Sequence, residues 1–408
     1  MTIAFITLGN IENLSVPGIY TDLVREFIKN GHDVYVIKPN ERRTGKPTEL
    51  LHDEHFHLLG VKTLNIVKTN IVEKGLGTIL IEHQFTKAVK KFLPDVKFDL
   101  ILYSTPPITF VNTIKYLKRK TGAKTYLMLK DIFPQNAVDL GMFSEHGLMY
   151  KWFRNKEKKL YAVSDYIGCM SPANVDYVLK HNPEIPPTKV EICPNAMEIV
   201  PQEDIDINSI RAKYRLPLDR RIFIYGGNLG KPQGVDFLLD ALRANIDKTD
   251  RYFLIVGAGT DAGKISDWVD ANNPSNVRYI PALPRTEYDN LIRACDVGLI
   301  FLDHRFTIPN FPSRLLSYLN NKMPVIVASD PNTDIGMIAR DSGFGDMALS
   351  NDLRNFNVLL DKYSQMQLSE LKAKGQLGYD YLKNNYDVKD VCKVLEFRVY
   401  HCESHHYK

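Results

Sequence analysis

The sequence predicts an α/β protein built from two doubly wound domains in tandem. Short apolar, β-branched runs alternate with amphipathic helical patterns along the whole chain, which is typical of βα units around a parallel sheet. A polar, proline-punctuated segment interrupts that alternation once, near the middle. At 408 residues, the chain has the length expected of two such domains, each with its own core.

Eleven runs predict strands, each followed by a loop or a helical pattern. In the first half they are Ile3–Leu8, Asp33–Ile37, Leu100–Tyr103, Lys124–Leu129, Tyr166–Met170 and Val190–Cys193. In the second half they are Arg221–Tyr225, Tyr252–Val256, Val277–Ile280, Val297–Phe301 and Pro324–Ala328. Ligands of such sheets bind beyond the carboxyl ends of the strands, so we expect the site in the cleft between two facing domains.

The same patterns predict the domain boundaries. Residues 1–195 form the first domain, 196–218 the linker, 219–385 the second domain and 386–408 a C-terminal helix and tail. The helical patterns after about residue 351 exceed what the second sheet needs. We expect the C-terminal helix to pack back on the first domain.

Composition and charge exclude several classes of protein. No run reaches the ~18–20 apolar residues that span a bilayer, and the N-terminus lacks the features of a signal peptide. The five scattered cysteines contain no CxxC pair, which favours a cytoplasmic location over a disulfide framework or structural zinc. Residues 1–195 carry 26 Lys and Arg against 20 Asp and Glu, whereas the remainder carries 26 against 28. The basic first half suggests an anionic partner, although such charge is most often a solvated face.

The glycine-rich segment YGGNLGKPQG follows the first strand of the second domain. It is not a Walker A loop, because Pro232 stands where a Ser or Thr would hold magnesium. Its glycines let backbone amides approach an anion at a helix start, with Lys231 as a nearby cation. The alternative is a tight turn that needs glycine only for its conformation. The later segment VGAGTDAGK formally matches a dinucleotide fingerprint, but no acidic residue ends the next strand, which disfavours NAD.

The segment FTIPNFPSRLLSY supplies a second helix start. Asn310 is the expected cap, Pro312 suits the first turn, Ser313 offers a hydroxyl, and Arg314 places a cation beside the positive end of the helix dipole. With Lys231, these groups predict a diphosphate site that needs no metal or other cofactor. The alternative is that Arg314 is a surface residue of an amphipathic helix.

Several motifs in order resemble family 4 of the retaining glycosyltransferases, which have the GT-B fold: two tandem Rossmann-like, doubly wound domains. They are VPGIYTDLVREFIKNGHDVYVI, KVEICPNAM, YGGNLGKPQGVDFLLDAL, FLIVGAG, VRYIPALPRTEYDNLIRACDVGLI and PNFPSRLLSYLNNKMPVIVA. MLKDIFPQNAVDLGM and SDPNTDIG are further similar to the branch that builds O-antigen and capsule repeats, including N-acetylfucosamine transferases. The resemblance implies a nucleotide-sugar donor, usually UDP-linked, in the C-terminal domain. It implies a lipid-linked saccharide acceptor in the N-terminal domain.

The resemblance also implies donor-site residues, with departures. Asn228 and Gln233 stand where many relatives have Arg and Lys, and Pro309 and Ser317 stand where they have two glutamates that contact the sugar and the ribose. Ser317 is expected to replace one glutamate through its hydroxyl. The backbone around Leu283 is expected to hold the base. The remaining expected donor-binding positions are Gly227, Gly257, Lys231, Asn310, Ser313, Arg314 and, in a first-domain turn that closes over the donor or acceptor, Gly18. The alternative for Gly18 is an ordinary turn glycine.

The acceptor side centres on Asp131, which follows a first-domain strand in LKDIFP. We expect it to position or deprotonate the acceptor, with Lys130 meeting an acceptor phosphate; the alternative for Asp131 is a helix cap or a turn before Pro134. Relatives are thought to use the departing phosphate as a base, so paired carboxylates are not required. The histidine groups HDEHFH and HCESHHYK are expected to be a solvated loop and a mobile tail rather than metal sites.

Residues 148–163 mix aromatic with basic side chains. Such a helix is typical of an anionic membrane surface, which would place the protein at the inner face of the cell membrane; the alternative is a helix with core aromatics and solvated lysines. No nucleic-acid motif accompanies the charge, so we expect no nucleic-acid partner. Two other functions stay open: a GT-B nucleotide-sugar epimerase and a catalytically silent nucleotide-sugar-binding protein.

Overall fold

The structure is a computed structural model that describes residues 1–9, 11–66, 71–200 and 205–400. It divides into two compact units, one formed by Met1–Glu198 with the segment from Asp387 onward, and one by Ile199–Tyr386. We refer to them as the first and second domains. Each is a doubly wound α/β domain, which confirms the predicted fold class.

The first domain alternates strands and helices around an eight-stranded sheet of order β3-β4-β2-β1-β5-β6-β7-β8. All neighbours pair in parallel except β3 and β4, which form an antiparallel hairpin. The elements are β1 Thr2–Ile6, α1 Ile19–Lys29, β2 Asp33–Glu41, β3 Glu49–Asp53, β4 Phe56–Thr63, α2 Ile71–Phe92, β5 Leu100–Ser104, α3 Val111–Thr121, β6 Lys124–Leu129, α4 Gln135–Asp139, α5 Leu148–Val163, β7 Tyr166–Cys169, α6 Pro172–His181 and β8 Val190–Ile192.

The second domain is wound around a parallel six-stranded sheet of order β11-β10-β9-β12-β13-β14. Its elements are α7 Ile207–Lys213, β9 Arg221–Asn228, α8 Val235–Ala244, β10 Arg251–Ala258, α9 Ala262–Asn272, β11 Val277–Ile280, α10 Arg285–Ile292, β12 Val297–Phe301, α11 Arg314–Asn320, β13 Val325–Ser329, α12 Ile335–Asp341, β14 Gly345–Leu349, α13 Leu353–Gln365 and α14 Leu368–Asn385. Its core joins aromatic and aliphatic side chains of the central strands with those of α8 and α13.

The final helix, α15 (Val388–Tyr400), belongs to the first domain. It packs against α1, and Leu395 lies in one buried cluster with Phe5 and Val24. The Arg398 guanidinium pairs with Glu191 of β8 at 2.6 Å. The chain therefore returns to the first domain, as expected, but only with this last helix, because α13 and α14 stay in the second domain.

Every predicted strand is present, but three strands were not predicted. The hairpin β3–β4 was missed, and HDEHFH is part of it rather than a loop: His52 of β3 is paired with His57 of β4. β14 pairs with β13 at the sheet edge. In the described part of the chain, no helix combines the length and apolar character needed to cross a membrane.

Two glycines allow β9 and β10 to approach each other at their carboxyl ends. Gly227 and Gly257 are partners in the parallel register. Gly227 has φ 126° and Gly257 has φ 159°, backbone conformations that other residues rarely adopt. A Cβ on Gly257 would lie 1.9 Å from the carbonyl oxygen of Gly227. Only glycine at residue 257 leaves this strand end undistorted.

We therefore expect Gly257→Ala to lower the free energy of unfolding of the second domain by about 3 kcal/mol, because the added methyl group overlaps backbone. Urea denaturation measures this change. Gly263→Ala is the matched control, since a Cβ there has open space on α9, and it should leave stability unchanged or raise it by up to about 1 kcal/mol. Equal effects of the two substitutions would contradict the assignment.

Candidate functional site

The second domain contains a cavity of about 680 Å³ at the carboxyl ends of its strands. Strands β9 and β10, the loop after β11, and the starts of α10 and α11 form its walls. This is where open parallel sheets bind ligands. The lining residues are Gly226, Gly227, Asn228, Gln233, Val256, Gly257, Ala258, Ala282, Leu283, Arg285, Tyr288, Pro312, Ser313, Arg314 and Ser317.

Arg314, the first residue of α11, is the central cation of this cavity. Its guanidinium lies over the ring of Tyr225 at 4.3 Å from the ring centroid. The Tyr225 hydroxyl donates to the backbone oxygen of Asn228 at 2.7 Å, which fixes the ring. Arg314 Nη1 is buried, and no described group accepts a hydrogen bond from it. A buried charged donor without an acceptor is costly, so the geometry favours an anionic oxygen at this point.

Tyr318 anchors α11 and thereby Arg314. Its hydroxyl accepts a hydrogen bond from the backbone N–H of Gly226 at 3.1 Å and lies 3.2 Å from the carbonyl oxygen of Ile224. Its ring occupies the space where a Cβ on Gly298 would lie. The side chain is completely buried, so the start of α11 is held firmly against β9.

The sequence reasoning missed two residues of α10, Arg285 and Tyr288. Arg285 pairs with Asp289 at 2.8 Å, and its Nη2 lies 3.4 Å from Ser317 Oγ. The Tyr288 hydroxyl is buried without a described partner, and burial raises its pKa to about 12. A Cβ on Gly226 would collide with that hydroxyl. The sequence signal that could have identified both residues is the start of a helix shortly after strand β11, because α/β domains place ligand-binding groups at such positions.

Two uncharged amide side chains also line the cavity. Asn228 Nδ2 donates to Gln233 Oε1 at 2.8 Å. This pairing leaves the Gln233 amide nitrogen as a donor for a ligand. Among the described residues that line the cavity, none is acidic, whereas two are arginines. The cavity therefore suits an anion.

Most of the predicted donor-binding residues lie together in this cavity. They are Gly227, Asn228, Gln233, Gly257, Leu283, Ser313, Arg314 and Ser317. Lys231 does not line it: the residue is exposed on a short 3-10 turn (Lys231–Gln233). Gly18 lies in the first domain, where it precedes α1 and its N–H donates to Asp22 at 2.9 Å.

The expected cap of the second helix was wrong. Helix α11 begins at Arg314 with Ser313 as its N-cap residue, not with Asn310. The backbone N–H of Asn310 instead donates to Thr333 Oγ1 at 3.0 Å, and its side chain bonds to the carbonyl oxygen of Ile308. Asn310 therefore supports a loop behind the cavity wall. No residue of α8 lines the cavity, so only one of the two predicted helix starts contributes to it.

In the first domain, Asp131 lies just beyond the carboxyl end of β6. Its backbone N–H and that of Lys130 both donate to Thr105 Oγ1, at 3.1 and 2.9 Å, which fixes the turn. Asp131 does not cap α4, whose N-cap residue is Pro134. Burial raises the pKa of the Asp131 carboxyl to about 6. A carboxylate with this pKa can accept a proton near neutral pH.

Two neighbours complete this end of the sheet. Tyr20 of α1 packs edge-on against Phe5, and its pKa is raised by burial and by the charge of Asp131. Lys130 points inward: its Nζ lies 3.4 Å from the carbonyl oxygen of Cys193, and burial lowers its pKa to about 8. Lys130 is thus oriented toward the protein rather than toward a ligand.

The histidines of the β3–β4 hairpin interact with each other and with their surroundings. His52 Nδ1 and His57 Nδ1 lie 2.9 Å apart, and His55 pairs with Asp33. Across the described ranges, no group of three or more His, Cys, Asp or Glu side chains is arranged to hold a metal ion. The second histidine group, HCESHHYK, lies outside the described residues.

Comparison with known families agrees with this geometry. Residues 19–199 match the family described as Glycosyltransferase Family 4, and residues 206–340 match Glycosyl transferases group 1. The chain is a glycosyltransferase of the GT-B fold. The matches fall on the domain that carries Asp131 and on the domain that carries the Arg314 cavity.

Curated relatives are also glycosyltransferases. The chain is 24% identical to the probable glycosyltransferase WbjE of Pseudomonas aeruginosa over 78% of each protein. It is 23% identical to WcaI of Escherichia coli, a putative colanic acid biosynthesis glycosyl transferase, over 76% of this chain and 77% of WcaI.

Solved structures share the fold of the transferase. Sucrose-phosphate synthase of Thermosynechococcus elongatus superposes with a TM-score of 0.75 at 13% identity, covering 97% of both chains. HepE of Anabaena, solved with UDP and glucose, superposes with a TM-score of 0.68 at 12% identity, covering 98% of this chain and 99% of that one.

If Arg314 is the central cation, Arg314→Met should weaken binding of UDP by roughly 10- to 100-fold, because a charge-assisted hydrogen bond is lost while packing on Tyr225 is kept. Lys231→Ala should weaken it by less than about threefold, since an exposed charge outside the cavity is screened. Isothermal titration calorimetry measures both.

Arg340→Ala is the control, because Arg340 is an exposed arginine of the same domain, paired with its neighbour Asp341. It should leave affinity unchanged. A larger loss for Lys231→Ala than for Arg314→Met would contradict the assignment.

Proposed function

We propose that this transferase moves a sugar, with retention of configuration, from a nucleoside-diphosphate sugar to a lipid-linked saccharide during assembly of a surface polysaccharide. The observation that carries the donor side of the proposal is the cavity without acidic lining around Arg314. A diphosphate is the anion that this arrangement fits, since the guanidinium offers two parallel donors.

The donor is UDP-linked in this proposal. HepE, which shares the fold, was solved with UDP and glucose. Ala282 and Leu283 also line the cavity, and their backbone would hold the base. Ser317 and Arg285, whose side chains meet at 3.4 Å in the cavity lining, would hold the ribose. The sugar is an N-acetylated deoxyhexosamine, which rests on the resemblance to N-acetylfucosamine transferases.

In the proposed reaction, an acceptor hydroxyl oxygen bonds to the anomeric carbon while the bond from that carbon to the diphosphate breaks. Negative charge develops on the diphosphate, and Arg314 stabilises it. The hydroxyl proton passes to a diphosphate oxygen. The Asp131 carboxylate accepts a hydrogen bond from a hydroxyl group of the saccharide that receives the sugar, and thereby orients that saccharide. No metal is required, because the arginine supplies the positive charge.

The acceptor assignment rests on the relatives and on the chemistry of the first domain. WcaI is described as a putative colanic acid biosynthesis enzyme, which fits the resemblance to transferases that act on lipid-linked saccharides. Asp131 offers a hydrogen-bond acceptor at the carboxyl end of a first-domain strand.

Thermal-shift screening against UDP, GDP and their sugars, followed by radiolabelled transfer from the best binder to lipid-linked saccharides, tests the proposal. We expect UDP to stabilise the protein and transfer to follow with retained configuration. Interconversion of the sugar without transfer would indicate an epimerase instead. Binding without either reaction would indicate a silent binding protein.

Asp131 gives the reaction a predicted pH dependence. The orienting carboxylate must be ionised, and its pKa is raised to about 6 rather than lowered, so activity should fall as pH decreases through 6. Asp131→Asn should lower kcat by roughly 100-fold or more and remove that pH dependence.

Asp176→Asn is the matched control, because Asp176 is a residue of α6 in the same domain that lies outside the turn at the end of β6. It should retain both activity and the pH profile. An Asp131→Asn variant with an unchanged pH profile would show that another group titrates.

A further inference from the structure

The first domain exposes a group of large apolar side chains at the start of α5 and in the first half of α2. On α5, Leu148 is 85% exposed and Trp152 41% exposed, and Met149 lies beside them. On α2, Ile79 is 60% exposed and Leu80 42% exposed. Several large apolar side chains exposed together mark a contact surface, because covering them would release water.

Polar side chains connect the two helices here. Lys156 Nζ of α5 lies 3.6 Å from Glu82 of α2 and 5.5 Å from the ring centroid of Trp152. Glu82 also accepts hydrogen bonds from the backbone and side-chain nitrogens of Asn112 at the start of α3. Ile79 lies about one helical turn before Glu82, and Trp152 lies about one turn before Lys156. Because Glu82 and Lys156 are in contact, the apolar groups of α2 and α5 lie at the same end of the two helices.

Lysines border the apolar surface. Lys151 and Lys159 are exposed on the same side of α5 as Leu148 and Trp152, whereas Lys158 is paired with Glu184 at 3.4 Å. The acidic residue of this helix, Glu157, points the other way and is buried in an ion pair with Arg154 at 2.5 Å. The exposed side of α5 therefore carries apolar side chains near its start, with lysines beside and after them. On α2, exposed Lys87, Lys90 and Lys91 follow the apolar turn in the same order.

We infer that this surface, formed by Leu76, Ile79 and Leu80 of α2 and by Leu148, Met149 and Trp152 of α5, docks the protein on an anionic lipid bilayer. Lysines are depleted at protein–protein interfaces but favour anionic headgroups, and tryptophan favours the boundary between headgroups and acyl chains. Exposed apolar turns followed by lysines on both helices match a bilayer better than a protein partner.

The position of the surface links docking to the reaction. Helices of a parallel α/β sheet run opposite to the strands, so α5, which follows β6, begins at the carboxyl end of that strand. Asp131 lies at the same end. Docking would hold this end of the first domain at the membrane, where a lipid-linked acceptor is confined. This last step rests on the proposed function, whereas membrane binding itself does not.

Co-sedimentation of the full chain with vesicles tests the inference. We expect binding to vesicles of phosphatidylcholine with about one-third phosphatidylglycerol, and weak binding to pure phosphatidylcholine at the same salt concentration. Leu148→Ser with Trp152→Ser should lower the partition coefficient at least roughly tenfold, because apolar area that enters the bilayer is removed. Lys151→Glu with Lys159→Glu should lower it by a similar factor on anionic vesicles only.

Matched controls use residues of the same type elsewhere. Val358→Ser with Leu377→Ser replaces two apolar side chains of the second domain that are 56% and 50% exposed, and Lys372→Glu with Lys389→Glu replaces two exposed lysines. These variants should bind vesicles as the unchanged protein does. Equal losses in the controls, or full binding by the α5 variants, would overturn the inference.

Two further measurements separate this inference from the proposed function. UDP affinity of the Leu148→Ser, Trp152→Ser variant should be unchanged; a protein that binds vesicles but no nucleotide would contradict only the proposed function. Light scattering after size exclusion tests the alternative occupant, a second copy of the chain. Loss of a dimer in the α5 variant, without vesicle binding by the unchanged protein, would overturn the inference and assign the surface to self-association.

Discussion

The partly buried guanidinium of Arg314 is the feature on which the cavity of the second domain depends. It is held by the face of Tyr225 and by the start of α11, and not by a carboxylate. An arginine paired with an acid would have its charge cancelled and its donors occupied. Stacking on an aromatic ring leaves both the charge and the donors available. The surrounding structure serves this arrangement: Tyr318 fixes the helix, and Gly226 clears space for the hydroxyl of Tyr288.

The two domains use the same architecture for different chemistry. Each places its polar groups at the carboxyl ends of parallel strands, as doubly wound sheets do. The second domain concentrates positive charge in a cavity whose described lining has no acidic residue. The first domain offers a carboxylate whose pKa is raised by burial, on a turn fixed by Thr105. One domain is suited to stabilise a leaving anion and the other to orient a hydroxyl group.

The central strands were predictable from the sequence because a short, continuous β-branched run bounded by turns favours a buried strand over a helix. The edge strands β3 and β14 and the neighbouring strand β4 were not predicted, although the edge strands β8 and β11 were. The β3–β4 hairpin contains His52 and His57, whose polar character concealed a strand pattern, and β14 has an ordinary, partly exposed composition. β3 and β14 are edge strands with partly exposed side chains, so burial imposes less pattern on them.

The candidate site was likewise predictable where a residue's role depends on the local chain. Gly227 is marked by a strand end, and Arg314 by a helix start. It was not predictable where the role depends on packing. Lys231 and Asn310 were wrongly expected to line the cavity. The sequence does not show that a short turn exposes Lys231 to solvent, or that the backbone N–H of Asn310 donates to Thr333. Tyr288 was missed because its buried hydroxyl reaches the strand end at Gly226 from a neighbouring helix.

The central claim is that the second domain binds a diphosphate through a cation of its own. Calorimetric titration with UDP and with uridine, each with and without EDTA, tests it most directly. We predict that UDP binds equally well with EDTA and that uridine binds at least roughly 100-fold more weakly, because it lacks the groups that Arg314 would contact. Similar affinities for UDP and uridine, or loss of UDP binding in EDTA, would contradict this claim.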